Sequence, residues 1–227
     1  MPENGAPDGY SAAAEWRHDA AAIALMILMV AGGILAYGHL PPVIPTHWGL
    51  DGQPNGWSSR MVAVGFPPAL TLALWALLLV LPQIDPGRRN YAVFIGFYRA
   101  LRLALVLLMA VLYATALLSG VGYRVSIPAV TTIAVSGLMI FLGNFMGRLR
   151  HNYFVGIRTP WTLADQEVWR QTHRVGGRLF VIGGFLPLAG LFFSPAAALA
   201  LLLVGVLGAV LLSVAYSYLV YRRVVGI

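Results

Sequence analysis

The chain reads as an all-α integral membrane protein with six transmembrane helices. Three observations predict this. Of its 227 residues, 59% are hydrophobic and only 10% are charged, where a soluble domain carries about 25% charge. The apolar residues come in runs near the roughly 20 needed to cross a bilayer. The short alternating segments of a membrane β-barrel do not appear. Cysteine is absent, which excludes disulfides and thiolate chemistry.

Residues 1–19 form an N-terminal tail, and the first span is expected at 20–37. It is too long for a signal-peptide core and lacks a small-x-small cleavage pattern, so it stays as an anchor. The second span is expected at 61–81, with Pro67 and Pro68 near its start, and the third at 98–118. The fourth is expected at 125–146, the fifth at 177–193 and the sixth at 196–221. Ser194 and Pro195 offer an N-cap and a first-turn proline, so the last two spans read as a tight hairpin. The chain thus divides into a tail, a first three-helix half (20–118) and a second (119–227).

All 15 basic residues are arginine. Six spans place thirteen of them on the side of both termini and leave only Arg60 and Arg124 on the other. Positive charge collects in the cytoplasm, so the termini are expected there. The net charge of +7 then serves topology and anionic lipid, and direct nucleic-acid binding is not expected. The loop before Arg60 lies outside, and the loop 147–176 lies inside.

Arg99 and Arg102 fall at the start of the third span. A central arginine costs about 2.5–3.5 kcal/mol on insertion scales, and snorkelling to the headgroups removes most of that. The alternative is an anion-binding cavity, to which Asn144 on the fourth span would add a polar group.

The outer loop HLPPVIPTHWGLDGQPNGWSSR is dense in Pro and in turn-forming Gly, Asp and Asn. Pro41, Pro42 and Pro45 favour extended polyproline geometry, and Asp51-Gly52 and Asn55-Gly56 are turn signals. An ordered element on the membrane surface is expected. His39, His47 and Asp51 form a weak metal pattern, since catalytic zinc wants three well-placed ligands; no metal or cofactor is expected.

The inner loop carries NYFVGIRTPWTLADQEVW at 152–169. Thr162-x-x-Asp165 reads as a loose capping box. It predicts a short amphipathic helix from Leu163 to about Val175, ending at Gly176-Gly177. On it Trp169 and His173 share a face, as do Arg170 and Arg174. Such a helix would lie at the interface, as a connector, a docking surface or a gate.

The segment 144–184, with NYFVGIRTPWTLADQEVWRQTHRVGGR, resembles the conserved domain of the SdpI immunity-protein family. The outer PTHWGLDGQPNGW with the second span resembles the small domain of unknown function that often precedes it. Together they cover about residues 41–184. Arg158, Thr159, Pro160, Trp161, Trp169, His173 and Arg174 match the inner motif. Pro45, His47, Gly52, Pro54, Gly56 and Trp57 match the outer one. Position 55 is Asn where the pattern has Asp, and position 60 is Arg where Lys is usual, which weakens a metal or acid role. The resemblance implies a multi-pass bacterial inner-membrane protein. It implies immunity to, or signalling of, a secreted toxic peptide or amphiphile, with a peptide toxin outside and a cytoplasmic repressor inside as partners. The expected binding residues are Pro45, His47, Trp48, Asp51, Asn55 and Trp57 outside. Inside they are Asn152, Arg158, Thr159, Trp161, Trp169, His173 and Arg174.

The two loops also share Ile-x-Thr-x-Trp, at Ile44 and Ile157. Each follows the first span of a three-span half, so a 3+3 inverted repeat is an expectation to test, and with it transport or lipid flipping as the alternative function. Enzymatic activity is not expected. The histidines of the two loops lie about 30 Å of hydrocarbon apart, and no nucleophile motif or phosphate-binding glycine loop appears.

Overall fold

A computed structural model describes residues 10–49 and 53–226. Of the described residues, 77% are helical. A short helix α1 (Ala12–Glu15) precedes α2 (Ala20–Tyr37), which coincides with the first expected span. Strands β1 (Val43–Trp48) and β2 (Pro54–Ser59) follow, then α3 (Arg60–Ile84), α4 (Tyr91–Gly120) and α5 (Ile127–Met146). The short α6 (Pro160–Ala164), the long α7 (Gln166–Gly190) and α8 (Pro195–Val225) complete the bundle. Among the described residues five helices are long and apolar enough to cross a membrane: α2, α3, α4, α5 and α8. Helix α7 takes in the fifth expected span up to Gly190, and residues 191–193 form the turn after it. Its 25 residues rise about 37 Å, but its first half carries Glu167, Arg170, His173, Arg174 and Arg178.

Helix α3 holds Pro67, Pro68 and Pro82 in its interior. A helical proline lacks the N–H that would bond the carbonyl four residues back. In hydrocarbon no water replaces it. Helix α4 supplies the substitutes. Tyr113 Oη donates to the Val64 carbonyl, freed by Pro68, at 3.0 Å. Tyr98 Oη donates to the Leu78 carbonyl, freed by Pro82. Two tyrosines on one helix therefore set the register of α3 against α4.

Helix α7 packs against both α5 and α8. A Cβ on Gly143 would stand 2.5 Å from the Gly177 carbonyl oxygen, and one on Gly183 2.6 Å from that of Gly205. Small residues allow such close helix contact. This explains why Gly176-Gly177 does not end a helix as expected: the pair sits mid-helix, where backbones touch. The interfacial helix expected at 163–175 is instead split: Leu163 and Ala164 end α6, Asp165 caps α7, and the rest is the first half of α7. Ser194 does cap α8, accepting from Ala197 N at 3.0 Å, and the α7–α8 hairpin is tight.

The expectation of an all-α chain needs one correction. The loop after α2 is an antiparallel β-hairpin, pairing Val43 with Ser59 and Pro45 with Trp57. Pro45 sits in a strand rather than a polyproline helix. The strand-forming signal, Val43-Ile44 with alternating Thr46 and Trp48, was masked by the prolines around it. The segments compared as a repeat also differ: Ile44–Trp48 is strand, while Ile157 to Trp161 runs from loop into α6.

Candidate functional site

Under the hairpin lies a cavity of about 570 Å³. Its roof is Ile44, Thr46, Trp48 and Ser58, and its floor is Met109, Leu112, Tyr113 and Ala116 of α4. Val62, Phe66 and Leu70 of α3 form one wall, Ile127 and Thr131 of α5 the other. Among the described residues no charged side chain lines it. The hairpin is held in place by buried Ile44 and Leu40, which pack with Met29, Ala63, Tyr113 and Leu117. Arg60 sits over the Tyr37 ring at 4.7 Å and closes the base of the hairpin with a bond to Leu40 O.

The outer residues expected to bind fall in two groups. Trp48 and Pro45 face the cavity. His47 and Asn55 hydrogen-bond each other across the strands, so Asn55 acts as a pin. Trp57 is 58% exposed. Asp51 lies outside the described residues.

At the opposite end Arg102 is fully buried. Its Nε and a terminal nitrogen donate to the Asp19 carboxylate at 2.8 and 2.9 Å. Its other nitrogen reaches Tyr10 Oη at 3.2 Å, and Trp75 Nε1 donates to Asp19 at 2.9 Å. Arg99 makes a two-pronged bond to Glu15, 2.8 Å on each arm. That bond holds the Glu15 carboxyl below its ordinary range, while burial pushes the Tyr10 hydroxyl up to about 12. The two arginines are therefore satisfied by acids from the N-terminal segment, and buried Arg102 is engaged by Asp19 rather than open to an anion. Asn144 is exposed on α5 and takes no part.

The loop between α5 and α6 is folded by its own polar groups. Asn152 is fully buried. Its side chain donates to the Arg150 and Val155 carbonyls and accepts from Phe154 and Val155 N. Asp85 accepts from Gly87 N, Tyr91 Oη and Tyr153 N, tying the α3–α4 turn to this loop. Thr159 caps α6 in a reciprocal box with Thr162, and Asp165 caps α7 through Glu167 N and Val168 N. The box thus lies three residues earlier than the Thr162–Asp165 pair suggested, because α6 and α7 are separate helices. Trp161 Nε1 donates to Ser217 Oγ on α8.

Trp169 and His173 do share a face, with rings stacked at 4.0 Å. Ile157 N donates to His173 Nε2 at 2.9 Å, so Nδ1 bears the proton and donates to Trp169 O at 2.8 Å. This locks a neutral imidazole, and burial lowers its pKa to about 4. Gly156 has φ +115°, and a Cβ there would stand 2.3 Å from His173 Nε2. Of the expected inner residues, Asn152, Thr159, Trp161, Trp169 and His173 build the loop. Arg158 and Arg174 are exposed, with Arg158 also donating to Tyr153 O.

Sequence reasoning missed Asp85, Asp19, Glu15, Tyr98 and Tyr113. Asp85-Pro86-Gly87 was readable as a turn, but its partners on α4 and the inner loop were not. The acids of the N-terminal segment carried one usable signal. Two arginines in an apolar span require counterions, and five of the chain's eight acids precede the second span.

The model of the SdpI/YfhL protein family matches residues 148–217. That of a domain of unknown function, DUF1648, matches residues 24–72. The chain is similar to the immunity protein SdpI of Bacillus subtilis (strain 168), 29% identical over 204 residues, or 90% of this chain and 96% of that protein. No solved structure matches the chain significantly.

Proposed function

We propose that this SdpI-family membrane protein confers immunity to, or signals, a secreted toxic peptide or amphiphile by binding it beneath the β-hairpin. On this reading it crosses a bacterial inner membrane six times, α7 included, with both termini in the cytoplasm and the hairpin outside. The support for orientation is the arginine asymmetry, thirteen against two. The support for six spans is the length of α7 and its position between α5 and α8.

The observation that carries the reading is the cavity under the hairpin, whose described lining is uncharged. Its size lies in the 300–1,000 Å³ range of ligand pockets, and its roof is the element of the chain most unlike a plain connection. The similarity to an immunity protein over most of both chains supports the same end. The opposite loop is too well satisfied internally to offer an open ligand site. Its exposed Arg158 and Arg174 suit an acidic surface on a cytoplasmic partner instead. On this reading the protein binds rather than catalyses.

Expression in toxin-sensitive cells tests the proposal. Wild type should rescue growth, and Ala116→Trp, which fills the cavity from α4, should abolish rescue at equal membrane abundance. Full protection by Ala116→Trp would remove the cavity from the mechanism.

A further inference from the structure

The cavity opens sideways. Helix α4 packs on both α3 and α5, while α3 and α5 form no substantial contact with each other among the described residues. The gap between them is the mouth, and it is framed by exposed Val62 and Phe66 of α3. On the proposed topology the roof lies on the water side, and the mouth faces the region that lipid tails occupy.

Size limits the occupant. One turn of helix, about 10 Å wide and 5.4 Å tall, fills roughly 420 Å³, and a 30 Å span roughly 2,400 Å³. A cavity of about 570 Å³ holds little more than one turn. A whole transmembrane segment is excluded, and a single alkyl chain fits. Chemistry limits it further. With no charge in the lining among the described residues, an ionic headgroup would be desolvated without a partner. Apart from the indole N–H of Trp48, the side-chain polar groups of the described lining are hydroxyls. Thr46 Oγ1 and Ser58 Oγ pair at 3.3 Å in the roof. Such a pair uses one of its two protons, so one O–H remains to donate. Thr131 adds another hydroxyl from α5. Between apolar chains and lipid there is no hydrophobic gain, so selection falls to the polar end and to the dispersion contacts that an empty cavity forfeits.

We infer that the cavity takes a neutral, single-chain amphiphile, which enters between α3 and α5 from the outer half of the bilayer and sets its hydroxyl or amide end under Thr46 and Ser58. This rests on the proposed function for its location and goes beyond it in naming the occupant and the route. The occupant would be either the natural ligand or that ligand's apolar arm.

The test is photolabelling of the full chain in phosphatidylcholine vesicles with a diazirine-bearing dodecanol, mapped by mass spectrometry. Labelling at Leu112, Ala116 and Thr131 should exceed that at lipid-facing Leu107 and Ile133 at least fivefold. Excess dodecanol should compete it away, and Ala116→Trp should reduce it to the lipid-facing level. Thr131→Phe, from the opposite wall, serves the same purpose should Ala116→Trp not fold. A trimethylammonium analogue of the same length should label the cavity at least fivefold less. Uniform labelling of cavity and lipid-facing residues would overturn the inference, as would equal labelling by the cationic analogue. Toxin rescue reports separately on the proposed function. Rescue without cavity labelling rejects this occupant alone, and cavity labelling without rescue rejects immunity alone.

Discussion

Replacing Asp19 by Asn tests the buried charge pair with the least change in shape. Arg102 has no exposed surface in its side chain and Asp19 only 2%. The two meet through paired bonds of 2.8 and 2.9 Å. Asparagine can still accept one of those bonds. Its amide NH₂ would then oppose a guanidinium nitrogen, and the arginine charge would be left without a counterion. Breaking one side of a buried pair costs about 3–5 kcal/mol, and the bond that asparagine keeps points to the lower end. For a chain of 227 residues that corresponds to a melting temperature lower by roughly 6–15 °C. Thermal unfolding in detergent, followed by tryptophan fluorescence, would measure it; Trp75 bonds Asp19 directly and reports locally. Removing both charges with Asp19→Leu and Arg102→Met should recover most of the loss, because apolar replacement of a buried pair is often neutral or better. A drop under about 1 kcal/mol in D19N, the range of an exposed pair, would refute the claim that this pair is desolvated.

Tyr113→Phe leaves the Val64 carbonyl without its donor and should lower stability by about 1 kcal/mol, within the range for hydrogen bonds inside membranes; thermal unfolding that leaves Tm unchanged would show that another donor replaces it. Gly156→Ala combines a left-handed φ of +115° with a 2.3 Å approach to His173, and the expected loss is about 2 kcal/mol or more, read by protease cleavage of the inner loop in inverted vesicles. His173 is held neutral, with a folded pKa of about 4 against the ordinary 6.5. The unfolded chain therefore binds protons first, and stability should be complete above pH 6.5, fall between about 6.5 and 4, and level off below. The corresponding change is on the order of 3 kcal/mol; His173→Gln should flatten that part of the profile, and an unchanged profile would contradict the assignment. Glu15 acts in the same direction, since Arg99 lowers its pKa: its contribution is present above the ordinary carboxylate value and is lost as acid protonates it.

Much of the bundle was legible because long apolar runs have few alternatives in a bilayer. The span expected at 20–37 is α2 itself, and Trp169 with His173 stacked as their spacing required. The hairpin was legible as an ordered element and illegible as strands, because its prolines argue for another extended geometry and the pairing partner is not encoded in spacing. The ends of α7 were misread because glycine has two uses. Gly176-Gly177 looks like a terminus in sequence, yet in the fold it is a contact surface against α5. Arg102 was misread because its counterion is 83 residues away, where no periodicity connects the two. The inner motif was recognised by residue type, but only the structure distinguishes Asn152 and His173, which fold the loop, from Arg158 and Arg174, which face outward.

Because the chain contains no cysteine, one introduced thiol reports its own side of the membrane, and labelling with a membrane-impermeant maleimide addresses the orientation on which ligand capture beneath the hairpin depends. Trp57→Cys should label in intact spheroplasts and Arg158→Cys only in inverted vesicles. Labelling of Arg158→Cys from outside, with Trp57→Cys reached only from the cytosolic side, would contradict the account.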